Sequence, residues 1–260
     1  MGLDKEILLV EDNEINQLVA RQILKRAGYT CEVASSGEEA LRHLETQAYR
    51  LILMDVQMPG LDGIETTKRI RSFSPDHLNA GVPIIAMTAY STNEDRNNCK
   101  NAGMNDYLTK PLQLESFVAT VRKHMGQPPG REQADSPPGD SGREPSTARF
   151  DLGDALRRTN HDHFLVQRTV SMFLDSTPDR MHEISAACAK GEYQVAGDLA
   201  HNLHGAALNV SAGHLAHVAM RVEHASRDED SEALEETLRG LNSEYERFRQ
   251  AVRDAGLTQD

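Results

Sequence analysis

Hydrophobic positions follow two different rhythms along this chain. Up to about residue 125, short apolar runs alternate with stretches in which apolar residues recur every three or four positions. Glu6 to Val10, Thr30 to Ala34, Leu51 to Met54, Val82 to Met87 and Tyr107-Leu108 read as strands. Their unbroken apolar character is that of strands buried on both faces. Between them, Ile15 to Ala27, a segment opening at the capping box Ser36/Glu39, Ile64 to Ile70, Asn93 to Ala102 and Leu114 to His124 read as helices. Gly28 and Gly103 stand where the first and fourth of these helices should stop. Five strand–helix units in sequence predict an α/β doubly wound, five-stranded parallel sheet of the flavodoxin-like kind.

Residues 126–149 hold no large apolar residue and are crowded with Pro, Gly and Ser. Such a stretch cannot bury enough surface to offset its ordering entropy, which predicts a disordered linker between domains at 1–125 and 150–260. At roughly two dozen residues its r.m.s. span would be about 25–30 Å. Past it the strand signal vanishes. Phe164 to Leu174, Met181 to Lys190, Tyr193 to Val210, Leu215 to Ala225 and Leu234 to Val252 all carry helical periodicity, predicting an antiparallel bundle of the four-helix type.

Composition narrows the function classes. A net charge of −12 argues against nucleic-acid binding and towards protein partners or cations. No apolar stretch reaches membrane-span length, and the start has no signal-peptide core. Cys31, Cys99 and Cys188 lie far apart without metal spacing, the pattern of a reducing cytoplasm.

The chemistry concentrates at the strand ends. Asp55 follows the third strand, with Pro59 and Gly60 close behind, and Glu11 and Asp12 follow the first. In a flavodoxin-type order these two ends are neighbours at the switch point, where ligands bind. Three anions so close call for a hard cation, and Mg²⁺ takes oxygen ligands. Thr88 follows the fourth strand and Lys110 the fifth. A hydroxyl and an ammonium aimed at the same edge suit a phosphoryl group in transfer.

Val10 to Asn13, Met54 to Gly60, Met87 to Ala89 and Tyr107 to Pro111 together resemble the response-regulator receiver domain over the whole first domain. The resemblance implies phosphorylation of Asp55 by a phosphohistidine. It implies Mg²⁺ held by Glu11, Asp12, Asp55 and the main-chain carbonyl of Gln57. Thr88 and Lys110 would contact the phosphoryl oxygens, Tyr107 would switch rotamer with the Thr88 loop, and Lys110-Pro111 would be cis. The Asp12 to Asn16 stretch is most similar to receivers fused to hybrid sensor kinases. Haloacid-dehalogenase-like phosphatases share the fold but need a second Asp two residues after the nucleophile, and position 57 is Gln.

In the second domain, Ala196, Leu199, Leu203, Ala206 and Val210 form one apolar stripe at helical spacing. At about 100° per residue, His201 lies about 160° from Leu199 and Leu203, so it is expected to face solvent. Ala200 to Ala207 resembles the histidine-phosphotransfer (HPt) domain, which implies that His201 carries phosphate, with His204 and Gly205 as the phosphate's neighbours. The family usually has Lys where this chain has His204. A protonated imidazole could substitute, making transfer sensitive to pH near neutrality. The pairs His201/His204 and His214/His217 imitate a metal site, yet Glu-x-x-His units are absent. The histidines therefore read as a solvated face.

The expected protein is thus a two-component phosphorelay module whose nucleophiles are Asp55 and then His201. It has no Walker loop and nothing resembling a histidine kinase's ATP lid, so phosphate would come from a cognate sensor kinase and pass to or from another receiver or HPt domain. The start suggests the carboxyl-terminal piece of a hybrid kinase or a stand-alone relay protein. Transfer within one molecule or between two copies of a homodimer fits equally. A different class of function, a phosphorylation-gated docking scaffold that transfers nothing, shares every feature except transfer by the bundle.

Overall fold

A computed structural model of the chain describes residues 6–89, 93–125 and 148–258, in two compact units. The linker reading falls almost wholly outside the described residues.

The first unit alternates strand and helix: β1 (Ile7–Val10), α1 (Glu14–Ala27), β2 (Cys31–Ala34), α2 (Gly37–Thr46), β3 (Leu51–Asp55), α3 (Gly63–Arg71), β4 (Ile84–Thr88), α4 (Asn93–Ala102), β5 (Asp106–Thr109) and α5 (Leu114–Met125). All pairings are parallel, in the order β2-β1-β3-β4-β5. Side chains on a strand alternate between faces, and both faces are covered. Ile7, Leu9, Leu51, Leu53, Ile85 and Met87 pack on the side of Ile23, Phe117 and Val121. Leu8, Val10, Ile52, Met54, Ile84 and Ala86 pack on the side of Ala40, Leu44 and Ile70. The fourth strand starts two residues later than its apolar run suggests. Pro83 has no N–H to donate and contributes only its carbonyl, which accepts from Ile52 N at 2.9 Å.

Caps behave largely as the sequence implies. Gly28, at φ 89°, ends α1 in the left-handed region, its N–H returning to Leu24 and Lys25. Ser36 Oγ accepts from Glu39 N at 3.1 Å, but the Glu39 carboxylate reaches Ser35 N at 2.7 Å rather than the cap's own N–H. Cys31, Cys99 and Cys188 are free thiols. Among the described residues no helix is long and apolar enough to cross a membrane.

The second unit is all helix: α6 (Leu152–Arg158), α7 (His163–Lys190), α8 (Tyr193–Asn209), α9 (Gly213–Arg227) and α10 (Ser231–Asp254). The last four form the bundle, in which α8 packs on α7 and α9, and α10 closes against α9 and α7. One helix was not anticipated and one expectation is corrected. The short α6 offers one buried residue, Ala155, and so shows no periodicity. Segments 164–174 and 181–190 are one continuous helix running through Pro178.

Interior proline removes the hydrogen bond to the carbonyl four residues back, at Leu174. That carbonyl accepts instead from the Tyr245 hydroxyl of α10 at 2.8 Å. The break expected from local sequence is mended by a residue 71 positions away. Tyr245→Phe should therefore cost about 0.5–1.5 kcal/mol, the net contribution of one hydrogen bond to a part-buried carbonyl. Urea unfolding of the whole chain would show it as a lower midpoint for the bundle with the first unit unchanged.

Candidate functional site

The carboxyl edge of the sheet gathers the predicted residues. Parallel pairing of β1 with β3, register Val10 to Met54, carries Glu11 and Asp12 beside Asp55. Oxygen atoms of Glu11, Asp12 and Asp55 lie within 4.8 Å of one another. Lys110, following β5, places Nζ 2.6 Å from Asp55 Oδ2 and 2.7 Å from Glu11 Oε2, all three side chains being buried. Thr88 ends β4, buried, and its carbonyl accepts from Lys110 N at 2.7 Å. The Lys110–Pro111 peptide is cis.

Electrostatics follows from the geometry. Burial pushes the Asp55 carboxyl well above the usual carboxylate range, Glu11 and Asp12 push the same way, and Lys110 opposes them. Burial works against the Lys110 charge, but Asp55 and Glu11 outweigh it and hold the ammonium above an ordinary lysine. Three carboxylates against one ammonium leave an excess of negative charge. Their all-oxygen donor set fits a hard divalent cation such as Mg²⁺.

Several positioning residues escaped the sequence reading. Asn13 caps α1, accepting from Ile15 N and Asn16 N. Asn16, buried one turn on, donates from Nδ2 to Glu11 Oε1 at 2.7 Å. The signal was present in the Asp12 to Asn16 stretch but was read only as a likeness. Gly63 opens α3 directly against β3, where an added Cβ would stand 2.0 Å from the Asp55 carbonyl oxygen. No side chain fits that approach. Gln57 N donates to Asp55 Oδ1 at 3.3 Å. The Tyr107 ring is half-buried with the Arg96 guanidinium 4.5 Å from its centroid. Its predicted movement involves the loop after Thr88, of which residues 90–92 lie outside the described residues.

In the second unit one expectation is overturned: His201 does not face solvent. It is 6% exposed, and its Nδ1 lies 3.2 Å from Glu223 Oε2 on α9. The one-stripe reading of α8 failed because this helix is covered by α7 on one side and α9 on another. Leu199, assigned to the core, is only half-buried, whereas Ala200, His201, His204 and Ala207 are buried. α9 packs closely on α8 at Gly197, where an added Cβ would stand 3.5 Å from Ser226 Cβ, an ordinary contact that does not require glycine. His204 and Gly205 are buried beside His201, the two imidazole rings being 6.3 Å apart and edge-on. His214, His217, Arg221 and His224 line a solvated face, as expected. Glu223, next to His224 in sequence, was missed because its partner is 22 residues away on another helix. Its other oxygen, Oε1, accepts from Arg227 at 2.9 Å.

Comparison with known families closes the question of kinship. Residues 7–122 match the response regulator receiver domain, and residues 168–251 match the Hpt domain. The chain belongs to the response regulator receiver family and carries an Hpt domain behind the receiver. It is 30% identical over 231 residues to the sensor histidine kinase GacS of Pseudomonas protegens, covering 88% of this chain and 25% of that one. It is 32% identical over 124 residues to the polar-differentiation response regulator DivK of Brucella ovis, covering 48% of this chain and 98% of DivK. Among solved structures, the receiver domain of the Pseudomonas aeruginosa sensor kinase PA1611, with magnesium in its active site cleft, is 43% identical. That match covers 47% of this chain and 98% of the other, at a TM-score of 0.43. The chain spans 25% or less of the length of these histidine-kinase relatives.

Proposed function

We propose that Asp55 of the receiver accepts a phosphoryl group from a phosphohistidine and that His201 of the HPt unit carries it to or from a receiver. The observation that carries this reading is the buried Asp55 carboxylate with Lys110 Nζ at 2.6 Å and Glu11 and Asp12 beside it. An Asp55 oxygen attacks phosphorus, the P–N bond breaks, and its electron pair returns to the donor imidazole. Lys110 and Thr88 meet the phosphoryl oxygens as charge accumulates on them. Glu11, Asp12, Asp55 and the Gln57 carbonyl would hold Mg²⁺, which supplies neutralising charge at the phosphoryl group. Tyr107 would report the state of the Thr88 loop.

At His201 the chemistry reverses. With Nδ1–H directed to Glu223, the Nε2 lone pair attacks the acyl phosphate, the P–O bond breaks, and the Asp carboxylate leaves. The resulting positive imidazole keeps its Nδ1 proton against the Glu223 carboxylate. Partners are a phosphohistidine-bearing kinase and a further receiver or Hpt domain. A second copy of this chain, in a homodimer, offers a further donor and acceptor.

The burial of His201 favours a second reading, a phosphorylation-gated docking unit that transfers nothing. Both readings meet one experiment, in which label is offered from a phosphohistidine donor and followed in wild type, His201→Gln and Asp55→Asn chains. Relay predicts label on His201 or on an added receiver, lost completely in either variant. Label that stays on Asp55 in the wild type leaves only the switch.

A further prediction concerns pH. The raised affinity of Asp55 for its proton makes that proton compete with Mg²⁺ at a pH above the ordinary aspartate value of 3.8. A carboxyl bound more tightly by protons when folded than unfolded stabilises below its folded pKa and loses that contribution as pH rises through it. Thermal melts of the receiver should therefore show Mg²⁺ stabilisation growing as pH rises. In Asp55→Asn that growth should flatten.

A further inference from the structure

The HPt unit buries a second set of ligand-type groups that the relay does not require together. His201 and His204 stand three apart on α8, so both rings share a face, and Glu223 meets them from α9. They are 6%, 7% and 2% exposed, and one ligand atom from each lies within 4.8 Å of the other two. Two imidazoles and a carboxylate sealed between helices are costly to bury unless they pair or hold a cation. His201 Nδ1 and Glu223 Oε2 are 3.2 Å apart. Tetrahedral Zn²⁺ bonded at about 2.0–2.1 Å separates its ligand atoms by about 3.3 Å, so this edge fits the ion without helix movement. Glu223 is further held through Oε1 by Arg227, the kind of outer contact that orients a metal ligand. Asp198, one turn before His201, feels the charges of both His201 and Glu223 and adds an acid beside the cluster.

We propose that His201, His204 and Glu223 bind Zn²⁺ and that metal occupancy and phosphorylation of His201 exclude each other. Two nitrogens and one oxygen select a borderline ion such as Zn²⁺ over Mg²⁺, which the all-oxygen cluster of the receiver suits better. On binding, the metal takes the Nδ1 lone pair and the neutral ring changes tautomer, one proton leaving Nδ1 and one being taken up at Nε2. Nε2 then carries a hydrogen and has no lone pair with which to attack phosphorus. A lysine at position 204 would be a charged ammonium and no ligand; the imidazole there completes the donor set. The exclusion rests on His201 being the phosphoacceptor, while the binding stands independently of that role.

Co²⁺ added to the full chain, with Mg²⁺ saturating, is the probe. The wild type should develop the visible absorption of a tetrahedral nitrogen–oxygen site, and Zn²⁺ should displace it. Asp12→Asn, in the receiver, should keep the band, and His204→Gln and Glu223→Gln should each lose it. In the unmutated chain, one equivalent of Zn²⁺ should shift the imidazole ¹⁵N resonances of His201 and His204 together, a result independent of variant folding. No band in the wild type, a band lost in Asp12→Asn, or unmoved ¹⁵N resonances overturns the site. Equimolar Zn²⁺ should also cut label transfer to His201 at least 10-fold while leaving Asp55 labelling unchanged; equal transfer with and without Zn²⁺ overturns the exclusion. A chain that never labels His201 yet shows the cobalt band defeats the relay and keeps the metal site.

Discussion

Lys110→Met should slow phosphorylation of Asp55 by about 10²–10³-fold, the effect of deleting one preorganised charge at a transferring group. Methionine keeps most of the stem's volume and removes the ammonium that lies 2.6 Å from Asp55 and 2.7 Å from Glu11. Stability should fall as well, by about 3–5 kcal/mol in metal-free buffer, because two buried carboxylates lose their counter-charge. The direction of Mg²⁺ binding separates the two effects. With Lys110 gone the site is more negative, so Mg²⁺ affinity should hold or rise and restore part of the lost stability even as labelling stays slow. The readouts are label incorporation from a small acyl-phosphate donor and Mg²⁺ titration by calorimetry. Labelling at the wild-type rate would remove Lys110 from the chemistry.

Glu223→Gln should slow transfer to His201 by about 10²-fold, two orders of magnitude less than the roughly 10⁴-fold cost of replacing the buried carboxylate of a catalytic triad. Glu223 Oε2 lies 3.2 Å from His201 Nδ1; with Nδ1–H donating to it, Nε2 is left as the nucleophile and the cation formed on phosphorylation is stabilised. Glutamine retains shape and one acceptor oxygen but no charge, and its amide can equally donate to the ring. The free variant should therefore show a mixture of both neutral His201 tautomers by ¹⁵N spectroscopy, where the wild type holds its proton on Nδ1. A merely structural role for Glu223 would lower the melting temperature and leave the tautomer alone.

These residues differ in how legible they were. Asp55, Glu11, Asp12, Thr88 and Lys110 announce themselves because a parallel sheet delivers strand ends to one edge, and each ends its strand or follows it within two positions. The sheet itself is written in local pattern: β3 reads as four apolar residues and is buried throughout. Pro178 misled for the opposite reason. Its local effect is real, but Tyr245 from another helix accepts the consequence by donating to Leu174. Nothing local marks Gly63: the constraint on it comes from the Asp55 carbonyl oxygen, which would stand 2.0 Å from an added Cβ.

Taken alone, the sequence determined the alternation that makes the doubly wound sheet, the helical character of residues 150–260, and the acid and lysine positions at the sheet edge. Each depends on neighbours in the chain or on a period of two or 3.6 residues, which local sequence encodes. Only the tertiary structure decided the environment of His201. A helical wheel places a residue on a face but does not say how many neighbours cover the helix. Packing of α8 between α7 and α9 turned the expected exposed imidazole into a buried one, paired with Glu223 and set beside His204.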